Sequence, residues 1–222
     1  MIGFGKRAGA ALALAMSVAG CAGLETITSV ARPVELFALT PKSTFAPDLP
    51  RLRQQIVVSE PTAGAAVSSD RIAVQPSPLQ VQYLPDARWV DRAPVFVQAL
   101  LIESYENSGK VDAVGRSAVG LRADYLIVTE LREFQARVQT NLAADAPLQV
   151  QVRLNMKVVD GFEDRIIASK SFEEFMETAD DSPEAIAVAF DEALGDVMRD
   201  SVEWSVRQMF RHDGSSSRAS RF

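Results

Sequence analysis

The chain has 222 residues, with 29 Asp+Glu against 23 Lys+Arg, a formal net charge of −6, one cysteine and one histidine. A single thiol excludes a disulfide framework, so the fold must stand on its own core. The acidic balance is a poor match for nucleic acid or a layer of anionic headgroups, and no nucleic-acid partner is expected.

The amino terminus places a basic pair, Lys6 and Arg7, before an uncharged apolar run from Ala8 to Ala19. That is the pattern of a secretory signal over residues 1–20, too short for a spanning helix, which needs roughly 20 apolar residues. Val18-Ala19-Gly20 leads directly into Cys21, the pattern of a bacterial lipobox. The thiol of Cys21 is then expected to carry covalent lipid, and two or more acyl chains give lasting attachment where one is marginal. The competing reading, an ordinary signal with a cysteine at that point by coincidence, needs both position and local sequence to coincide. Ala22, where an aspartate would retain the protein at the inner membrane, points to the outer membrane and its periplasmic face. Removing residues 1–20 takes away only Lys6 and Arg7 among the charged residues and moves the formal charge to −8.

Residues 21–33 read as the acylated cysteine and a tether, able to reach roughly 40 Å when extended. A single domain follows over residues 34–211, and the serine-rich stretch 212–222 has the composition of a disordered polar tail. Four short strands are predicted first, at 34–39, 54–59, 70–75 and 79–84, closed by Pro41, Pro61, Pro76 and Pro85 and placed at or near sheet edges. A helix is predicted within 89–109, with Asp91 as its cap, Pro94 early, Val97, Leu101 and Tyr105 on one stripe beside Phe96 and Leu100, and a stop at Asn107-Ser108-Gly109.

The strongest strand signal is "LQVQVRLNMKV", where Leu148, Val150, Val152, Leu154, Met156 and Val158 alternate with polar residues. One face should be core and the other wet. In the preceding strand, 124–140, the apolar phase slips near Arg132 and Glu133, and a bulge there would restore one inner face. A turn at Asp160-Gly161 and a third strand at 165–177 complete an antiparallel meander. Ser182-Pro183-Glu184 opens a second helix that carries Ile186, Phe190, Ala193, Val197 and Trp204 inward to about Phe210. The expected fold class is α+β, a single domain with a mainly antiparallel sheet and two helices packed on one side.

Residues suited to catalysis are scarce. His212 falls in the predicted tail, the pairs Glu173-Glu174 and Asp180-Asp181 read as solvated surface or capping, and neither a zinc-ligand set nor a glycine-rich phosphate loop is present. Tyr83 and Trp89 flank a proline turn and could meet lipid or protein, although packing against the first helix explains them equally well.

The ordered set Asp70-Arg71-Ile72-Ala73-Val74, Tyr83, Trp89-Val90-Asp91-Arg92-Ala93-Pro94, Glu106-Asn107-Ser108-Gly109 and Asp124-Tyr125, with the opening "FALTP", resembles the ABC-type transport auxiliary lipoproteins. These are the lipoprotein partners of MCE (mammalian cell entry) transport systems. Phe37 departs from the tyrosine common in that family. The resemblance implies a non-enzymatic component of a lipid-transport assembly, with an MCE-domain protein and its ABC permease and ATPase as partners. It implies no cofactor beyond the lipid on Cys21, and it makes Tyr83, Trp89 and Asp91 the candidate partner-binding residues. A homo-oligomer stays open. So do two rivals, a lipoprotein chaperone for outer-membrane components and an acidic hydrolase.

Overall fold

The computed structural model describes residues 33–117, 122–139 and 147–219, with side chains as far as residue 214. Cys21 and the tether lie outside the described residues. In chain order the elements are β1 (Glu35–Phe37), β2 (Leu52–Val58), β3 (Thr62–Ala63), β4 (Arg71–Ser77), β5 (Gln80–Trp89), α1 (Ala93–Asn107), β6 (Val111–Arg116), β7 (Tyr125–Arg137), β8 (Gln149–Asp160), β9 (Arg165–Glu177) and α2 (Pro183–Ala219).

β7 is the spine of a mixed sheet. Along one side it pairs antiparallel with β8, which pairs antiparallel with β9, as the alternation predicts. Along the other side it meets three parallel strands in turn, β2, β3 and β4. β2 passes on to β6, and β4 to β5 and then β1. The slip of register lies between Leu131 and Glu133. Tyr125, Ile127 and Leu131 before it, and Phe134 and Ala136 after it, are all buried on the helix side. Val150, Val152, Leu154, Met156 and Val158 continue that face on β8 and are wholly enclosed. Both helices cover it.

The proline reading needs correction. Pro76 and Pro85 lie inside β4 and β5, and β2 is an interior strand between β7 and β6. Both prolines fall where the β4–β5 ladder is irregular: from Tyr83 to Arg88 the chain advances five residues while its partner moves only from Ala73 to Arg71. An amide in such a bulge has no ladder bond to lose, so Pro85 is tolerated there, and Asp86 takes a positive φ of 54°.

α1 is capped by backbone geometry instead of the Asp91 side chain. Arg92 is the N-cap residue, with extended backbone and no side-chain cap bond. The Asp91 carboxylate instead accepts from the Arg92 amide at 2.7 Å, one residue too early to serve the first turn. The stripe itself is as expected, with Val97, Leu101 and Tyr105 fully buried and Phe96 and Leu100 beside them. Gly109, at φ 62°, turns the chain out of the helix.

Ser182 caps α2 through a bond from the Ala185 amide at 3.2 Å. The helix runs on to Ala219, past the predicted stop at Phe210, so residues 212–219 are helical and not the disordered tail expected from their composition. The first residues past that stop, His212 and Asp213, make contacts that are invisible in a local polar sequence. Trp89, Phe96, Phe134 and Phe190 meet with ring centroids 4.6–5.9 Å apart, joining β5, α1, β7 and α2 at one point. The Tyr105 hydroxyl and Ser205 Oγ, 2.6 Å apart and buried, fasten the two helices directly.

The sheet face away from the helices is polar but not simply wet, contrary to expectation. Gln135, Gln151 and Asn155 are buried there. The Gln151 amide donates to Glu173 at 2.6 Å and its carbonyl oxygen accepts from Arg137 at 2.9 Å. The Arg153 guanidinium pairs with Glu133 and lies 3.8 Å from Glu173. Long side chains on adjacent strands thus screen one another while satisfying their polar ends. Arg153→Asp places a third carboxylate between Glu133 and Glu173 and is expected to lower the melting temperature, whereas Lys157→Asp on the same row changes it little. Circular dichroism melts of the two variants separate these outcomes.

Gly161 is required by close approach: a Cβ there would stand 2.1 Å from the Ala123 carbonyl oxygen. Gly161→Ala should therefore cost about 1–3 kcal/mol in chemical denaturation, through forced backbone movement. Gly64→Ala, with open space around it, is the control.

On the helix side, burial and then the Asp200 and Asp196 carboxylates raise the Glu174 pKa, with Arg199 opposing. A raised folded pKa means that the native state holds the proton more tightly. That stabilisation is complete below the unfolded carboxyl value of about 4.3 and is lost as pH rises through the folded value. Glu174→Gln is therefore expected to raise the melting temperature at pH 7, with the advantage fading as the pH is lowered toward 4.

Candidate functional site

The three residues expected at a partner surface do not share one. Trp89 is 2% exposed and belongs to the aromatic core, so its ring cannot be offered to a partner. Tyr83 is half-buried: its hydroxyl donates to the Ala66 carbonyl at 3.3 Å, and the Arg71 guanidinium lies over its ring at 3.6 Å. Asp91 is exposed and occupied with its neighbour's amide, while Arg92 pairs with Glu60 at 3.1 Å. Core packing accounts for the tryptophan and local bonding for the other two.

His212 was expected to lack fixed geometry, and it has one. Its Nδ1 is 3.0 Å from the Tyr125 hydroxyl, and its Nε2 is 3.7 Å from Asp160 Oδ2. Tyr125 donates to Asp213 at 2.6 Å. Burial, and next its bond to Asp213, push the phenol's pKa well up, so the hydroxyl keeps its proton. Burial also acts to raise Asp160, but the amides of Glu163 and Phe162, followed by the charges of His212 and Arg165, outweigh it and hold the carboxyl below its ordinary range. A phenol that keeps its proton and an aspartate committed to two amides make a poor nucleophile and a poor base. What the cluster does is clamp the late turns of α2 onto the end of the β7–β8 pair. Among the described residues no group of three or more His, Cys, Asp and Glu is arranged to hold a metal ion.

The concave feature with a distinct chemical character lies between the opening segment of the domain and α2. Two adjoining hollows, of about 680 and 430 Å³, share Asp191 and Glu192 and run from Glu35 to Thr44 along one wall. The other wall is a stripe of α2 at helical spacing, from Glu184 through Val188 and Asp191 to Gly195 and Asp196. Asp191 ties the walls together: it accepts from the Thr40 amide at 2.6 Å and from the Thr40 hydroxyl at 2.9 Å. Lys42 bridges to Asp196 at 3.0 Å, reaching over Gly195. Leu36, Val34 and Val188 are left exposed beside the wider hollow. Its rim is acidic, with Glu35, Glu184, Asp191 and Glu192.

Sequence reasoning missed this cleft. The spacing of Glu184, Asp191 and Glu192 places them on one side of a helix, but nothing local says that the segment from Glu35 to Thr44, some 150 residues earlier, stands opposite.

An uncharacterized protein of Bradyrhizobium diazoefficiens is 28% identical over 187 residues, covering 83% of this chain and 49% of that relative, so the chain spans about half the relative's length. The crystal structure of a Xanthomonas campestris protein shares 27% identity and superposes with a TM-score of 0.74, covering 81% of this chain and 98% of the other. Residues 36–201, from the first strand with its cleft wall to deep within α2, match the family described as the ABC-type transport auxiliary lipoprotein component. By that match, which takes in well over half of its length, the chain belongs to the ABC-type transport auxiliary lipoprotein family.

Proposed function

We propose that this chain is the non-enzymatic, membrane-anchored lipoprotein component of an MCE/ABC-type phospholipid transport system, docking the periplasmic conduit at the outer membrane. The observation that carries the reading is the family match over residues 36–201 in a chain whose Cys21 follows a basic pair, an apolar run and Val-Ala-Gly. Lipid on Cys21 would fasten the protein to the membrane, and the residues up to Pro33 would let the domain stand roughly 40 Å away.

The role follows from the chemistry at hand. Two polar clusters of the described domain are spent on structure: Tyr125, His212 and Asp160 in a clamp, and Gln151, Arg153 and Glu173 in a sheet-face ladder. An open cleft lies between a strand and a helix. A tethered domain of that kind holds a partner in place, while energy for transport comes from the ATPase of the complex.

Two measurements test this. Cys21→Ala is expected to move the protein from the membrane to the soluble periplasmic fraction with an unchanged melting temperature, and mass measurement of the wild-type N-terminal peptide should show acyl chains. Periplasmic crosslinking of the wild type is expected to recover an MCE-domain protein. An unmodified Cys21 in the mature protein, or recovery of barrel-assembly proteins without any MCE protein, would overturn the reading.

A further inference from the structure

We propose that the cleft between β1 and α2 receives an extended peptide segment of the transport partner, one in which apolar side chains alternate with lysine or arginine, added as a strand along the outer edge of β1. This rests on the reading of the chain as a docking component and assigns that role a place and a ligand chemistry.

β1 lies at an edge of the sheet. It pairs with β5 alone, in parallel register from Glu35↔Ala87 to Phe37↔Trp89. The Phe37 carbonyl accepts from the Val90 amide at 3.0 Å, so Phe37 turns its polar backbone toward β5. Because successive residues of a strand turn opposite ways, Leu36 presents its N–H and C=O outward. Farther along the same segment, the Thr40 N–H finds its acceptor in a helix carboxylate, Asp191, instead of a neighbouring strand. α2 therefore closes the far end of this edge and leaves about 680 Å³ open beside β1.

The side chains say what would fill it. Phe37, Leu39, Ala187 and Val188 line the hollow, with Val188 54% exposed, while Leu36, 65% exposed, lies in register with Arg88 and turns its side chain the opposite way from Phe37. Exposed edges are ordinarily guarded by charge. β9 leaves Ile166 and Phe175 exposed beside Arg165, Lys170 and Glu177, so an apolar residue at an edge is not peculiar to β1, whose distinction is the open hollow beside it. Glu35, Glu184 and Glu192 rim the gap, and none forms an ion pair with a described residue, while Lys42 in the adjoining hollow is bridged to Asp196 and Arg88, in register with Leu36, is bridged to Asp70. Uncompensated carboxylates around an apolar floor repel an anionic phospholipid headgroup and attract a cationic segment that also supplies apolar side chains. The charge thus favours a peptide over a lipid.

The test uses the full acylated chain in detergent and a synthetic heptapeptide of alternating lysine and valine. Fluorescence anisotropy should show binding that weakens with salt, and hydrogen exchange at the Leu36 amide should slow when the peptide is bound. The double variant Glu184→Lys/Glu192→Lys is expected to lose about tenfold or more in affinity, while Glu103→Lys/Glu106→Lys, the same charge change on the exposed side of α1, stays within about twofold. The proposal is overturned if a glutamate–valine heptapeptide or phosphatidylglycerol vesicles bind equally well, if the two double variants behave alike, or if the Leu36 edge proves covered by a second copy or by the chain's own residues 22–32. Crosslinking separates this failure from failure of the wider reading. Capture of the MCE protein by the rim variant at the wild-type level would sink the cleft and leave the docking role standing. Absence of capture by the wild type would sink the role itself.

Discussion

The structure depends on one requirement placed on β7, that a strand of 13 residues keep its apolar side on both helices although its residue pattern changes phase midway. The irregularity between Leu131 and Glu133 meets it. A one-residue shift sends every following side chain to the opposite face, so without it Phe134 and Ala136 would point away from the helices, and Glu133 and Gln135 into the core. Because the shift is there, Phe134 reaches Trp89, Phe96 and Phe190, and a single aromatic cluster ties the end of β5, a helix start, the spine strand and the long helix. The same shift delivers Glu133, Gln135 and Arg137 to the ladder on the opposite face.

Charge is distributed unequally between the two sides of the sheet. On the face away from the helices acids and bases interleave, with Arg137 and Arg153 among Glu133 and Glu173, and the polar groups satisfy each other. On α2 the acids accumulate: Glu184, Asp191, Glu192, Asp196 and Asp200 stand along little more than four turns, with Lys42 and Arg199 drawn to Asp196. The raised pKa of Glu174 records that crowding from the neighbouring strand, after the effect of burial. Carboxylates gathered beside exposed leucine and valine are costly for a lone domain and useful for one that meets a cationic partner. That contrast sets the cleft apart from the sheet face, whose polar groups satisfy one another.

Burial has reassigned residues that look functional in isolation. Trp89 closes the core, and the histidine, tyrosine and aspartate around residue 125 secure the end of a helix. Family membership and an open cleft therefore carry the functional argument, not a constellation of reactive groups. Membership in the family rests on residues 36–201, and the lipid-attachment pattern at Cys21 stands in the sequence ahead of them.

Local physics in the sequence by itself determined the alternation of β8, the slip in β7, the buried stripe of α1 and the serine cap of α2, because periodicity, phase and capping are short-range properties of a chain. The order of the family-like residues from Asp70 to Tyr125 likewise marked the family that the match over 36–201 bears out. Tertiary structure alone decided the rest. Parallel pairing of β2, β3 and β4 with β7 joins segments far apart in sequence, and the prolines of β4 and β5 are tolerated because their partners leave those amides unneeded. Tyr125 and Asp160 receive His212 and Asp213 just past Phe210, although the composition of that stretch reads as a tail. The cleft exists because Asp191 draws Thr40 across 151 positions of chain, and no window of sequence carries the meeting of two such distant walls.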